Sequence, residues 1–461
     1  MRRLLTTFAM VAATAAACSE SNDADNPAVG GSDDGPPAGS AGAPASGGKS
    51  PAHAGSAGSE PAGSTSGGMA SGGHATETSA GEAGSLSEAG ANPWGGTGGA
   101  AGAGGAGGEP AAWQFRALTY NSALAPDFEP LTAERGPQIQ AALADAAKQL
   151  DVLCVQEYWS NADFSALQGA LVAELPHVYR QSPRPGSGAC SAADLGELGG
   201  CLATKCPQKQ GIDLVECAQL QCSAAIQLVD GGCLGCFLEH LDGSSPEACL
   251  AAAPSDPALF GGTFDVGLLS RYPLLQQSAL EYDAYFVRAS ALYAQVEVPG
   301  LGPIDTFCTH LGSSLGVIPY RGAHGSWDGE HAYQVAQLLG FVSAKASGQH
   351  PVLLLGDLNT GPASAGPPPI QAELPLDYQL LIDAGFTSAM ASPKCTLCSD
   401  NVLRNGSSRE TWLDHALIRG FPGVILAERA LTQTFQLGVA PNALAMNLSD
   451  HYGARVRLGS E

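Results

Sequence analysis

"PVLLLGDLNTG", Pro351 to Gly361, is an apolar run that stops at an acid and an amide, Asp357 and Asn359. Its few polar interruptions read as a strand buried between other layers. The same plan recurs along the chain. "WQFRALTYNSA" runs out to Asn121, "DVLCVQEYW" stops at Gln156-Glu157, and "GPIDTFCTHLG" reaches His310. A strand delivers its last side chains rigidly to a rim where loops open, and catalytic groups collect at such rims. One polar residue at a strand end is ordinary turn chemistry. Asn121, Glu157, His310, Asp357 and Asn359, all at strand ends, make coincidence the weaker explanation.

Between and after these runs, "FDVGLLSRYPL", "ASALYAQVEV", "ETWLDHALIRG", "GVILAERALTQ" and "LSDHYGARVRLG" read as further strands. "RGPQIQAALADAAKQL", "FSALQGALVAELP" and "GEHAYQVAQLLGFVSAKA" have helical spacing. Strands and helices alternate, so the fold class is α/β, with sheets buried by helices.

The 461 residues are not uniform. "MRRLLTTFAMVAATAAAC", residues 1–18, has two arginines, an apolar run and small residues, as a secretory signal does. Its end is similar to the lipobox of bacterial lipoproteins, which implies lipidation of Cys18 and a membrane anchor; Ala15 departs from the usual Leu, and free secretion is the alternative. Residues 19–112 are rich in Gly, Ala and Ser and offer little to bury, so a disordered tether is expected. A Gly-rich coil of roughly 90 residues spans about 50 Å. Residues 113–461 are long enough for one large domain. The chain and its working domain are both expected outside the cytoplasm, as a monomer.

Residues 1–112 carry three Lys/Arg and ten Asp/Glu, leaving 18 and 34, a formal charge of −16, for the rest. Such a domain is a poor non-specific binder of nucleic acid or anionic membrane, although a metal cation can reverse the field locally. Thirteen cysteines include eight between Cys190 and Cys249. Behind a signal peptide these predict up to four disulfides in a cysteine-rich insertion, residues 184–260. The zinc-like spacing of "CLGC" is the rival, but the remaining spacings are irregular. Cys395 and Cys398 fit a small bridge or other partners, and Cys154 and Cys308 read as buried thiols.

The chemistry of the rim residues is that of phosphate-ester hydrolysis. Glu157 and Asn121 offer hard oxygen donors of the kind Mg²⁺ takes. His310 and His451 can move protons near neutral pH. Asp357 and Asn359 can hold a water or the phosphate, and Asp414 in "TWLDHAL" can fix a histidine tautomer. Arg288 is a candidate phosphate clamp. His415 follows Asp414 on a strand and points to the opposite face. Glu330 and His331 begin a helix, with a surface or first-turn role expected.

"LTYNS", "DVLCVQE", "VGLLSRYP", "CTHLG", "LLLGDLNT", "WLDHALI" and "LSDHYG", in this order from 118 to 453, resemble the endonuclease/exonuclease/phosphatase superfamily, which includes DNase I-like nucleases and sphingomyelinases. The resemblance covers the domain except the cysteine-rich insertion. It implies a four-layered α/β sandwich, two central sheets flanked by helices, and a metal-dependent phosphodiesterase. It implies His451 as base, with Asp414 orienting it, Asp450 beside the metal with Glu157, and Asn121 supporting the metal or the phosphate. Asp357 and Asn359 would position water and phosphate, and His310 would protonate the leaving oxygen. Mg²⁺ is the expected cation, with Mn²⁺ or Ca²⁺ sharing its oxygen donors. A phospholipid headgroup suits the acidic domain, a secreted nuclease uses the same residues, and a catalytically silent surface-binding protein is the reading of a different kind. The stretch 312–330, with Tyr320 and Trp327, is the candidate substrate-contacting loop.

Overall fold

Alternation along single strands sorts the core into three slabs. In β1 (Gln114–Asn121), Phe115 and Ala117 enter one apolar cluster while Leu118 and Tyr120 enter another. In β2 (Val152–Gln156), Val152 and Cys154 join the first and Leu153 and Val155 the second. A period of two with both faces apolar requires cover on both sides. The computed structural model describes residues 113–459, apart from 127, 187–189, 240–248, 250–258, 316–317, 347, 405–406 and 440–442. The expected signal, anchor cysteine and tether lie outside the described residues.

Two six-stranded sheets supply that cover. The first runs β11-β14-β1-β2-β4-β3 and the second β5-β6-β7-β8-β10-β9. The strands flanking the site are β4 (Gly267–Ser270), β6 (Ser290–Val298), β7 (Gly302–His310), β8 (Val352–Asp357), β10 (Asp414–Arg419), β11 (Val424–Ala430) and β14 (Gly453–Gly459). The remaining strands are short or lie at edges: β3 (His177–Tyr179), β5 (Leu274–Glu281), β9 (Thr387–Ser388), and a separate pair, β12 (Thr434–Leu437) with β13 (Leu444–Asn447). The cluster between the sheets joins Phe115 and Leu268 of the first to Leu292 and Leu355 of the second.

Helices close the outer faces. α1 (Thr132–Ala147) buries Ile139, Leu143 and Ala147, one stripe at four-residue spacing, against the first sheet beside α2 (Asn161–Leu171). α3 (Trp327–Lys345) and α4 (Pro375–Asp383) cover the second through Val335, Leu338, Val342, Tyr378 and Leu381. The Ser160 and Ser326 hydroxyls accept the backbone N–H groups of Asp163 and Gly329 and so start α2 and α3. The order helix, sheet, sheet, helix is the four-layered sandwich expected.

The cysteines follow the disulfide reading in the segment between β3 and β4, where the bonds are Cys190–Cys233, Cys201–Cys222, Cys206–Cys217 and Cys236–Cys249. Short helices carry them around their own apolar cluster. Cys395 and Cys398 bond to each other. Cys154 and Cys308 correct the expectation. Both are buried, but they are bonded, not thiols. β2 and β7 face each other across the central slab, which brings together two sulfurs 154 residues apart. The six disulfides among the described residues are those of a protein that folds in an oxidising, extracytoplasmic compartment.

Candidate active site

Strand direction brings the polar ends to one rim. β1 and β2 run parallel, and so do β7 and β8, so Asn121, Glu157, His310 and Asp357 lie at or just past matching C-terminal ends. β10 is antiparallel to β8 and starts there, with Asp414 opposite Asp357. β14 is antiparallel to β1, and His451 stands two residues before it.

Asp357 is the hub. The Asn121 side-chain amide donates to Asp357 Oδ2 and to Glu157 Oε1, both at 2.9 Å. His310 Nε2 and His451 Nδ1 each lie 3.7 Å from Asp357 Oδ2. His451 Nδ1 is 2.8 Å from Asp414 Oδ2, and Asp357, Asp414 and His451 offer ligand atoms within 4.8 Å of one another. The Asn359 side-chain amide reaches His310 Nε2 at 3.2 Å and donates to the Leu311 carbonyl at 2.8 Å. Glu157 and Asn359 have φ of 61° and 45°. Asn tolerates this left-handed conformation; for Glu157 it costs roughly 1–3 kcal/mol, held by the surrounding bonds.

Asp265, just before β4, completes the set and was missed by sequence reasoning. Its Oδ2 is 2.5 Å from His310 Nδ1 and accepts the Glu157 backbone N–H at 3.2 Å. Each histidine thus has one ring nitrogen on a buried acid, His451 on Asp414 and His310 on Asp265. The available signal was the acid in "FDVG", placed like the others at a strand end. Arg135 was also missed. Buried in α1, it donates to the carbonyls of Ser122 and Leu448, at 3.0 and 2.9 Å, and ties the Asn121 loop to the Ser449-Asp450-His451 turn.

Electrostatics follow from crowding. Burial opposes the His310 cation, but Asp265, then Asp357 and Glu157, raise its pKa to about 10. Burial likewise opposes the His451 cation, and Asp414, Asp450 and Asp357 override it, holding its pKa well above the ordinary value. Burial, then Asp450, raises Glu157, although His310 opposes. Asp357 is lowered: burial works the other way, but His451 and His310 win. Five carboxylates, Glu157, Asp265, Asp357, Asp414 and Asp450, act on two imidazoles. That oxygen-rich, anionic donor set fits a hard divalent cation.

Other expectations resolve differently. Arg288 Nη1 is 3.8 Å from Glu281, and its Nε donates to the Arg184 carbonyl. It lines a neighbouring cavity of about 480 Å³. His331 is not a surface residue. It is buried, with Nδ1 2.6 Å from Asp377 and Nε2 2.9 Å from the Leu358 carbonyl, and so pins α3 and α4 under the Asp357 loop. Glu330 beside it is buried as well, bonded to the Tyr320 hydroxyl at 3.0 Å. His415 turns away from the rim, with Nε2 on the Thr360 and Trp412 carbonyls. Tyr320 and Trp327 pack edge-on, and Trp327 stands against Phe286 and the cysteine-rich segment's apolar cluster. A cavity of about 600 Å³ opens beside the Glu157 loop, lined by Trp159, Ser160, Phe128, Phe260 and Leu259, with the Phe260 ring stacked on Trp159.

A helix-covered double sheet with paired acid–histidine units at one rim is the scaffold of a hydrolase acting on phosphate esters. The chain belongs to the Endonuclease/Exonuclease/phosphatase family, whose profile it matches over residues 118–451. No curated protein sequence matches it significantly. Among solved structures it is similar to sphingomyelinase C from Streptomyces griseocarneus (19% identity, 76% of this chain and 99% of that one, TM-score 0.44). It is similar to an endonuclease/exonuclease/phosphatase from Beutenbergia cavernae (16%, 75% and 71%, TM-score 0.42). A third is Staphylococcus aureus beta toxin with bound magnesium ions (14%, 75% and 99%, TM-score 0.44). At these identities and scores none of them speaks to the substrate of this chain.

Proposed function

We propose that the protein is an extracytoplasmic, Mg²⁺-dependent phosphodiesterase acting on a phospholipid headgroup. The observation that carries the chemistry is the convergence of Asn121, Glu157, Asp357, Asn359, Asp414, His451 and His310 on one rim. Glu157, Asn121 and Asp450 would hold the cation, which supplies positive charge to the phosphate oxygens. His451, held at Nδ1 by Asp414, would take the proton of the attacking water in its neutral form, which the charge of a cation bound beside these acids would favour. Asp357 and Asn359 orient that water and the phosphate. His310, held by Asp265, returns a proton to the leaving oxygen. For Arg288 to contact phosphate it would have to leave Glu281. The cavity beside Trp159 and Phe260 offers room for the rest of the substrate.

The formal charge of −16 over residues 113–461 supports a lipid headgroup over a polyanionic nucleic acid. A secreted nuclease is the second reading, favoured by the same catalytic set. Anchoring through a lipidated Cys18, a flexible tether over 19–112 and a monomeric state complete the proposal. The test is hydrolysis of sphingomyelin, plasmid DNA and bis-p-nitrophenyl phosphate side by side, with and without Mg²⁺. Metal-dependent cleavage of the lipid but not the DNA supports the headgroup reading, and nicking of the DNA alone replaces it with the nuclease. Inactivity toward all three would sink the diesterase assignment.

A further inference from the structure

The segment from Cys395 to Asn401 has little regular structure, yet it touches the site at several points. Thr396 is fully buried, and its hydroxyl oxygen accepts the backbone N–H groups of Leu413 and Asp414, each at 3.0 Å. Its carbonyl accepts the Tyr452 N–H at 2.8 Å, and Leu397 bridges both Thr411 and His451. Further on, the buried Asn401 side-chain amide donates to the carbonyls of Ser449 and Asp450, at 2.8 and 3.1 Å. This one loop therefore fixes the backbone on both sides of the Asp414–His451 hydrogen bond.

The loop is closed by Cys395–Cys398. Arg429 Nη1 lies 3.5 and 3.2 Å from the two sulfurs, and its guanidinium stacks over the Tyr452 ring. A bridge between residues three apart removes little entropy from the unfolded chain, whereas Cys154–Cys308 closes a separation of 154. Global stabilisation is thus a poor reason for the small bridge, and local shape is a better one.

We infer that the Cys395–Cys398 bridge and Thr396 form a clip that positions the Asp414–His451 pair. Thr396 is a positioning residue: it touches neither substrate nor metal and acts through Asp414. The inference rests on the reading of His451 as the base, and it adds a redox-formed element to that site. Reduction of this one bridge would slacken the loop and misplace the imidazole without unfolding the sandwich.

The test compares T396V, T396S and the pair C395S/C398S with the wild-type protein. The readouts are kcat and KM for bis-p-nitrophenyl phosphate, thermal unfolding, and the far-downfield proton resonance of the His451 Nδ1–H. For the cysteine pair, kcat should fall about 10-fold or more, as loss of an outer partner does, with KM and unfolding temperature nearly unchanged; T396V, which strips two buried N–H groups of their acceptor, should lose kcat likewise with KM nearly unchanged and should also unfold at a lower temperature. T396S should retain activity, and the downfield resonance should shift or broaden in the two defective variants only. An unchanged kcat overturns the inference. So does a C395S/C398S unfolding temperature lowered as far as removal of Cys206–Cys217 lowers it, or a T396S as defective as T396V. If the wild type hydrolyses no phosphodiester, the proposed function fails, and the resonance alone decides: an identical signal in all variants overturns the clip.

Discussion

His310 Nδ1 lies 2.5 Å from Asp265 Oδ2, while its Nε2 faces Asp357 at 3.7 Å. The ring is thus strung between an acid that holds it and an acid at the centre of the site. Asp265 should matter mainly through His310, since its contact with the Glu157 N–H is the longer one. H310Q should lower kcat by about 10²–10⁴-fold, the usual worth of a positioned proton donor. D265N should lower it less, and the double variant should be no worse than H310Q. Additive losses in this double-mutant cycle would show that Asp265 acts elsewhere.

His451 has the same arrangement with Asp414. H451A should reduce turnover by about 10²–10⁴-fold and leave circular dichroism near wild type, with some loss of unfolding temperature from the unpaired Asp414. An H451A protein with wild-type turnover would remove the residue from the chemistry.

Glu157 is held at the rim by Asn121 and by its own strained backbone. Chelation should abolish activity and added Mg²⁺ restore it. E157Q should shift half-saturation by Mg²⁺ upward by at least about 10-fold, the lower end of what loss of even an outer partner costs. A superimposable metal titration would reassign the ligand.

Cys154–Cys308 staples the two sheets. The four bridges of the cysteine-rich segment lie inside its loop and shorten it. The pair C154A/C308A should lose about 3–5 kcal/mol in denaturant unfolding, more than C395S/C398S loses. Equal losses would contradict the dependence on loop length.

His415 gives the acid sensitivity. Burial lowers its pKa to about 4, and its Nδ1 is buried with no hydrogen-bond partner among the described residues. The unfolded chain protonates near 6.5, so between these values U binds more protons than N and stability falls as pH falls. The loss from pH 6.5 to 4 is about 3 kcal/mol. H415Q should flatten the dependence of unfolding temperature on pH in that window; an identical slope would assign the acid sensitivity to other groups.

The long interior strands were legible because both faces are apolar, and the rim was legible because their ends are polar. Edge strands carry no such contrast: β5 exposes much of its length, and β9 is two residues long. Asp265 stayed hidden because an acid before a strand reads as a turn. The Cys154–Cys308 bond could not be seen from either strand alone, since it depends on how the sheets face. His331 looked like a first-turn residue, because the helix beside it, α4, had not been recognised.

β14 lies between β11 and β1 in the interior of the first sheet, and His451 stands just ahead of it. The earliest strand made therefore waits for the latest. A chain that stops short of His451 has an open seam in its sheet and lacks its proposed base. Closure of the first sheet and completion of the proposed site are thereby coupled.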